Sequence, residues 1–194
     1  MDLRRCAMTA IIVIMMLGFV FVGHLTARDP APPFPAYGSG AIQVRLYSDY
    51  FCPPCRSLEP SVEPLLKELL KKKKIVLTFV DVPFHTGSSL YAKYFLYALV
   101  KKNNVDYAMR VRNILFEAAS SQKDLIATEQ VEELFRRQGI AYGAVEPLAV
   151  FASFNALIKE DEIQSTPTCV IIRQGRKEKF VGKPDILNAL INLK

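Results

Sequence analysis

Residues 48–55 read SDYFCPPC: two cysteines, Cys52 and Cys55, enclose Pro53 and Pro54. The pair follows AIQVRLYS (41–48), which alternates and is rich in β-branched and aromatic residues, so it is predicted to be a strand. CPPCRSLEPSVEPLLKELLKK is predicted to be a helix that starts at the cysteines. Pro53 and Pro54 fit its first turn, where a missing N–H costs little. Pro60 and Pro64 lie deeper and are expected to kink or interrupt it. IVLTFVDV (75–82) is almost wholly apolar, as a strand in a buried sheet centre would be. The cysteines therefore open the helix of a βαβ unit, for which a right-handed crossover is expected.

Three chemistries compete for such a pair. Zinc needs four ligands. The chain has only His24 and His85, and His24 lies in the apolar first segment, so no metal is expected. A purely structural disulfide would close a very small loop, and loop-closure stabilisation grows with loop size. Redox exchange fits better, because thiolate is the reactive form and a helix N-terminus favours negative charge. Cys52, at the helix mouth, is expected to ionise more readily than free cysteine, with the Cys55 amide as the nearest free donor. Cys55, one turn in, is expected to be shielded and to resolve the mixed disulfide. Cys6 lies far outside this region, and Cys169 falls in an apolar strand pattern, where a free cysteine is most often a buried small hydrophobe.

The chain has 194 residues, 51% of them apolar and 23% charged, enough for one ordinary domain. Its net charge of +6 comes without aromatic–basic interleaving, which argues against nucleic acid as a partner. Part of it is the run Lys71–Lys74, read as a solvated helix end. Residues 1–27 place Arg4 and Arg5 before an unbroken apolar run, the pattern of a signal peptide or of an N-terminal membrane anchor over residues 8–25. Either way the remainder is expected outside the cytoplasm. Residues 28–40, RDPAPPFPAYGSG, read as a Pro-rich linker, with the folded domain from 41 to 194.

Residues 88–162 carry four helical patterns and no strand signal. Tyr91, Tyr94 and Tyr97 recur there at helical spacing and read as packing. TCVIIRQ and KEKFVG then flank Gly175 and Arg176 as a hairpin, and KPDILNALINLK closes as an amphipathic helix. Thr166 and Pro167 stand just before the first of these strands, where a proline is allowed because it has no ladder bond to give.

YSDYFCPPC, Glu59–Pro60, DVPFH at 81–85 and STPT at 165–168 together resemble the DsbA-like branch of the thioredoxin superfamily. The resemblance covers most of residues 41–192. It implies an α/β, thioredoxin-like fold with a helical insertion between the βαβ half and the cis-proline ββα half. It also implies Cys52 as nucleophile, Cys55 as resolving cysteine, Pro53 and Pro54 as the active-site loop, Pro167 as the cis-proline and Thr166 in substrate pairing, with no cofactor. Two departures stand out. DsbA has histidine where Pro54 stands, so a potential less oxidising than DsbA's, yet above thioredoxin's, is expected. Many members keep a buried acid six positions before the nucleophile, and here that position is Leu46. Asp49 and Glu59, the nearest acids, could shuttle a proton through water but read equally well as solvated surface carboxylates, and His85 reads first as a polar loop residue that caps the next helix.

The function expected from these features is that of an exported thiol–disulfide oxidoreductase acting on cysteine-containing exported proteins, with oxidation slightly favoured. Oxidation would need a membrane partner of the DsbB or vitamin K epoxide reductase type, and reduction an electron donor. The rival is a non-redox binding or chaperone module that uses the same groove.

Overall fold

The computed structural model describes residues 34–121 and 127–194. Residues 1–27, read as a signal peptide or membrane anchor, and residues 28–33 of the stretch read as a linker lie outside the described residues. Among the described residues no helix is long and apolar enough to cross a membrane.

The sheet has five strands, β1 (Ala36–Gly38), β2 (Ile42–Ser48), β3 (Ile75–Asp81), β4 (Thr168–Arg173) and β5 (Arg176–Val181), in the order β1-β3-β2-β4-β5. The β2–β3 pair is parallel, as the βαβ reading requires, and all other pairs are antiparallel. β2 and β3 are largely buried, which is why β3 reads as an apolar run rather than as an alternation. The β4–β5 hairpin turns at Gln174 and Gly175, with φ of 52° and 75°. That is one residue earlier than the sequence suggests, and it suits the primed turns that match strand twist.

The helices are α1 (Pro53–Lys71), α2 (Ser88–Lys101), α3 (Val105–Ser121), α4 (Thr128–Gln138), α5 (Leu148–Glu160) and α6 (Lys183–Ile191). Helices α2 to α5 are the predicted insertion, placed between the βαβ half and the ββα half, so the fold is the thioredoxin-like α/β architecture with a DsbA-type elaboration. Helix α1 packs against α3 and α6. It runs 19 residues without the expected interruption at Pro60 and Pro64. Both prolines are exposed. The carbonyls they deprive of a donor, four residues back, therefore face solvent and can bond water.

Strand β1 lies within the segment read as linker. Its pairing to β3 is tertiary, so three residues among prolines carried no visible pattern. Tyr37 anchors it, buried with its ring centroid 6.1 Å from that of Phe79 and its hydroxyl donating to Asn103 Oδ1 at 2.9 Å. Gly40 is needed here: a Cβ would fall 2.0 Å from the Lys74 carbonyl carbon.

One charged side chain joins the insertion to the core. Arg112 of α3 is wholly buried, with its guanidinium carbon 4.3 Å from the Phe79 ring centroid. Its Nε donates to Glu59 Oε1 of α1 at 2.8 Å, Nη1 to Asp81 Oδ1 of β3 at 3.0 Å and Nη2 to Ser48 Oγ of β2 at 3.0 Å. A buried ion pair contributes little net stability, but breaking one leaves an uncompensated charge. Burial pushes the Asp81 carboxyl up to about 6, with Arg112 opposing.

Arg112→Met is therefore expected to lower unfolding free energy by about 3–5 kcal/mol in urea titrations, because Glu59 and Asp81 lose their cation. An unchanged midpoint would refute this role. The Asp81 shift has a defined sign. The folded state keeps a proton that the unfolded chain releases near pH 4, so this contribution is full below about pH 4 and lost as pH rises through about 6. Measured across that window, Asp81→Asn should remove this component of the pH slope.

Candidate functional site

The site forms where β2 and β4 end side by side. Tyr47 pairs with Thr168 across this antiparallel ladder. Chain leaving β2 and chain entering β4 are thereby brought together at the mouth of α1. Cys52 is the N-cap residue of α1, with extended backbone, and its carbonyl accepts the Arg56 amide at 3.2 Å. No side chain caps the helix, and because Pro53 and Pro54 carry no N–H, the Cys55 amide is the one free donor of its first turn. Pro53 and Pro54 follow as its exposed first residues.

The Thr166–Pro167 peptide bond is cis. The Thr166 carbonyl accepts the Cys52 thiol at 3.3 Å. The hydrogen-bond partner of Cys52 is thus the Thr166 carbonyl rather than the expected Cys55 amide, because the N-cap conformation turns the sulfur toward β4. Pro167 is buried, and its carbonyl accepts the Gly182 amide at 3.0 Å.

Cys52, Cys55 and Cys169 are free thiols. Cys52 keeps 5% of its surface exposed and Cys55 only 1%, so an incoming group meets Cys52 first. Burial raises the Cys55 thiol well above the ordinary range; the Cys52 side chain adds to this, while the Asp49 backbone and the Thr166 side chain oppose it. Cys55 is thus a protonated, shielded thiol. Cys169 is wholly buried in β4 opposite Leu46, and burial pushes its thiol up to about 12, as suits a packing residue. Among the described residues no cluster of His, Cys, Asp and Glu could hold a metal.

Two acids beside the pair are buried rather than solvated, which corrects the surface reading. The Asp49 carboxylate accepts Phe51 N at 2.8 Å and Ser88 Oγ at 2.7 Å on Oδ1. On Oδ2 it accepts Phe84 N at 2.8 Å, His85 N at 3.0 Å and, in the donating tautomer, His85 Nδ1 at 3.0 Å. Its backbone carbonyl also takes the Cys52 amide at 3.1 Å. Asp49 therefore ties the active-site loop to the 83–88 loop and to the start of α2. His85 is a partner of this carboxylate as well as a turn residue whose carbonyl accepts the Ser88 amide. Glu59, one turn below Cys55, pairs with Arg112. Leu46 is buried opposite Phe79 and Cys169.

Sequence reasoning missed Arg112 and the reach of Asp49. An Asp three residues before Cys52 gives no local sign of its partners, which lie about 35 positions away. The exposed rim contains Pro53, Pro54, His85 and Phe84, the last 50% exposed.

A family profile described as thioredoxin matches residues 37–191. No curated protein matches the chain in sequence. Among solved structures, a periplasmic thioredoxin-like protein from Salmonella enterica serovar Typhimurium is 18% identical, with TM-score 0.62 over 84% of this chain and 90% of that one. Wolbachia pipientis alpha-DsbA1 is 15% identical, with TM-score 0.64 over 85% and 92%. Pseudomonas aeruginosa DsbA2 is 17% identical, with TM-score 0.56 over 83% and 94%. These likenesses describe the fold.

Asp49→Ala leaves several buried donors unsatisfied, each costing about 1–3 kcal/mol less any relaxation. The variant is expected to lose about 3 kcal/mol and to show faster amide hydrogen exchange at Phe51, Phe84 and His85. Unchanged protection at these amides would contradict the clasp.

Proposed function

The chain belongs to the thioredoxin family, and on that premise we propose that it is an exported thiol–disulfide oxidoreductase that exchanges disulfides with cysteines of other exported proteins. The observation that carries this reading is the unequal pair at the helix mouth. Cys52 has residual exposure and a helix N-terminus behind it, whereas Cys55 is sealed one turn in. A helix N-terminus favours the anionic sulfur. Loss of the Cys52 proton also removes its bond to the Thr166 carbonyl, leaving that backbone group to pair with a client strand beside β4.

In the oxidising direction the Cys52–Cys55 disulfide is the reactant. A client thiolate attacks Cys52 Sγ, the Cys52–Cys55 bond breaks, and its electron pair leaves on Cys55, which takes up a proton. A second client thiolate attacks the client sulfur of the mixed disulfide and expels Cys52. Two electrons have then passed to the dithiol. A membrane partner of the DsbB or vitamin K epoxide reductase type would remove them. The reverse direction would need a reductant donor instead. Work outside the cytoplasm is supported by Arg4, Arg5 and the apolar run behind them, and by the description of the Salmonella relative as periplasmic. Thr166 and Pro167 supply client pairing in this reading, and Pro53 and Pro54 shape the loop without presenting amides that would hold the sulfur rigidly.

Trapping tests it. Cys55→Ala is expected to accumulate mixed disulfides between Cys52 and client proteins, seen as reductant-sensitive high-mass species. Cys52→Ser is expected to abolish exchange. If Cys52→Ser retained the chain's whole effect on client folding, the protein would be a binding module.

A further inference from the structure

The exchange step begins with a client thiolate, yet a cysteine of ordinary pKa is only about 3% ionised at pH 7. A base on the rim of the site would supply the rest. His85 is the one histidine among the described residues. Ser48 and Asp81 are in register, and Val82 N donates to the Ser48 carbonyl at 2.8 Å. Residues 49–52 and 82–85 therefore leave the sheet side by side. Asp49 then ties them together: it holds the Phe51 amide on Oδ1 and the His85 ring on Oδ2, while its carbonyl holds the Cys52 amide. The clasp does not need the ring. Phe51 N, Ser88 Oγ, Phe84 N and His85 N already fill the roughly four lone-pair sites of the carboxylate. The fifth contact, from His85 Nδ1 at 3.0 Å, instead orients the imidazole. The carboxylate is fully enclosed, whereas the His85 side chain is 47% exposed. A carboxylate accepts and cannot donate, so Nδ1 carries the proton and Nε2 keeps a lone pair.

We propose that His85, oriented by Asp49, is the base that takes the proton from the client thiol attacking Cys52. This rests on the exchange function proposed above and names the group that starts it. The client S–H gives its proton to Nε2, directly or through one water. The resulting imidazolium stays paired with the Asp49 carboxylate and faces the new thiolate. That thiolate attacks Cys52 Sγ, the Cys52–Cys55 bond breaks, and Cys55 leaves with the electron pair. Cys55 takes up one proton as His85 gives one back to solvent, so protons balance. In the reverse direction the imidazolium protonates the departing client thiolate. The charged group that faces His85 is Asp49, from the loop after β2. Phe84 from its own loop and Ser88 from α2 share that carboxylate and do not titrate.

The test follows opening of the Cys52–Cys55 disulfide in the oxidised full chain, in a Cys6→Ser background, by a synthetic peptide with two cysteines. Rates are read by acid quenching, alkylation and mass shift from about pH 6 to about pH 10. His85→Asn keeps a side-chain N–H for Asp49 and removes Nε2, so folding, checked by circular dichroism, should survive. The expected result is a rate about 10-fold below wild type at pH 7, within the ceiling of about 30-fold set by the thiolate fraction. The gap should close by about pH 10, where the peptide thiols ionise unaided, a convergence that a merely structural defect would not show. Equal rates at pH 7, or the same deficit at every pH, overturn the role of His85 and leave the exchange function standing. If His85→Asn does not fold, His85→Gln is judged by the same two criteria. If the peptide cannot open the wild-type disulfide at any pH, the exchange function fails and the base with it.

Discussion

The antiparallel pairing of β2 with β4 is the constraint on which the rest depends. It brings Cys52 to the Thr166 carbonyl across 114 positions of chain. Everything between, including the whole helical insertion, must return the chain to that edge. The crossing contacts fix polarity as well as position. The β2 end opens into α1, so the sulfur meets a helix N-terminus, and the β4 start presents Thr166 and Pro167 at its side. Without that register the cysteines would be an ordinary helix-opening pair without the Thr166 carbonyl beside them.

Around this edge the protein buries charge, at a cost that packing alone would not incur. Arg112 with Glu59 and Asp81, Asp49 with its donors, and Asp161 with Arg45, Tyr47 and Lys177 are three separate ionic centres. Each spans elements distant in sequence, and each is placed where an apolar contact would hold less specifically. A buried ionic group tolerates few alternative arrangements, since a shift leaves it unpaired. Asp49 fixes the loops on either side of Cys52, and Arg112 fixes α3 to the base of α1. The reactive end of α1 is therefore held from above and below.

Much of this was legible in the sequence because its signals are local. Strand alternation before CPPC, an apolar β3, four helical patterns and the STPT stretch each depend on neighbouring residues, and together they specify the order of elements. The β1 strand was not legible, because pairing to β3 rather than intrinsic pattern makes it a strand. Arg112 hid in plain view: Ala108, Arg112, Leu115 and Ala119 form one buried stripe on α3, and a charge inside such a stripe is the sign of a buried ionic centre. Glu59 carried the same sign, standing in the run Cys55, Glu59, Val62, Leu66 and Leu69. Asp49 offered no comparable sign, since its partners come from a loop beyond β3. An interruption at Pro60 or Pro64 overestimated proline's effect on a helix face that solvent can reach.

The proposed function requires Cys52 and Cys55 to be a reversible two-electron couple. The most direct measurement equilibrates the full chain against defined glutathione ratios, quenches by alkylation and reads the mass shift, since the chain has no tryptophan to report on the site. The expected result is a single two-electron transition confined to Cys52 and Cys55, with a midpoint between about −270 mV, thioredoxin's value, and about −120 mV, DsbA's. A pair that forms no disulfide at any ratio, or a midpoint at or below thioredoxin's, would contradict the account.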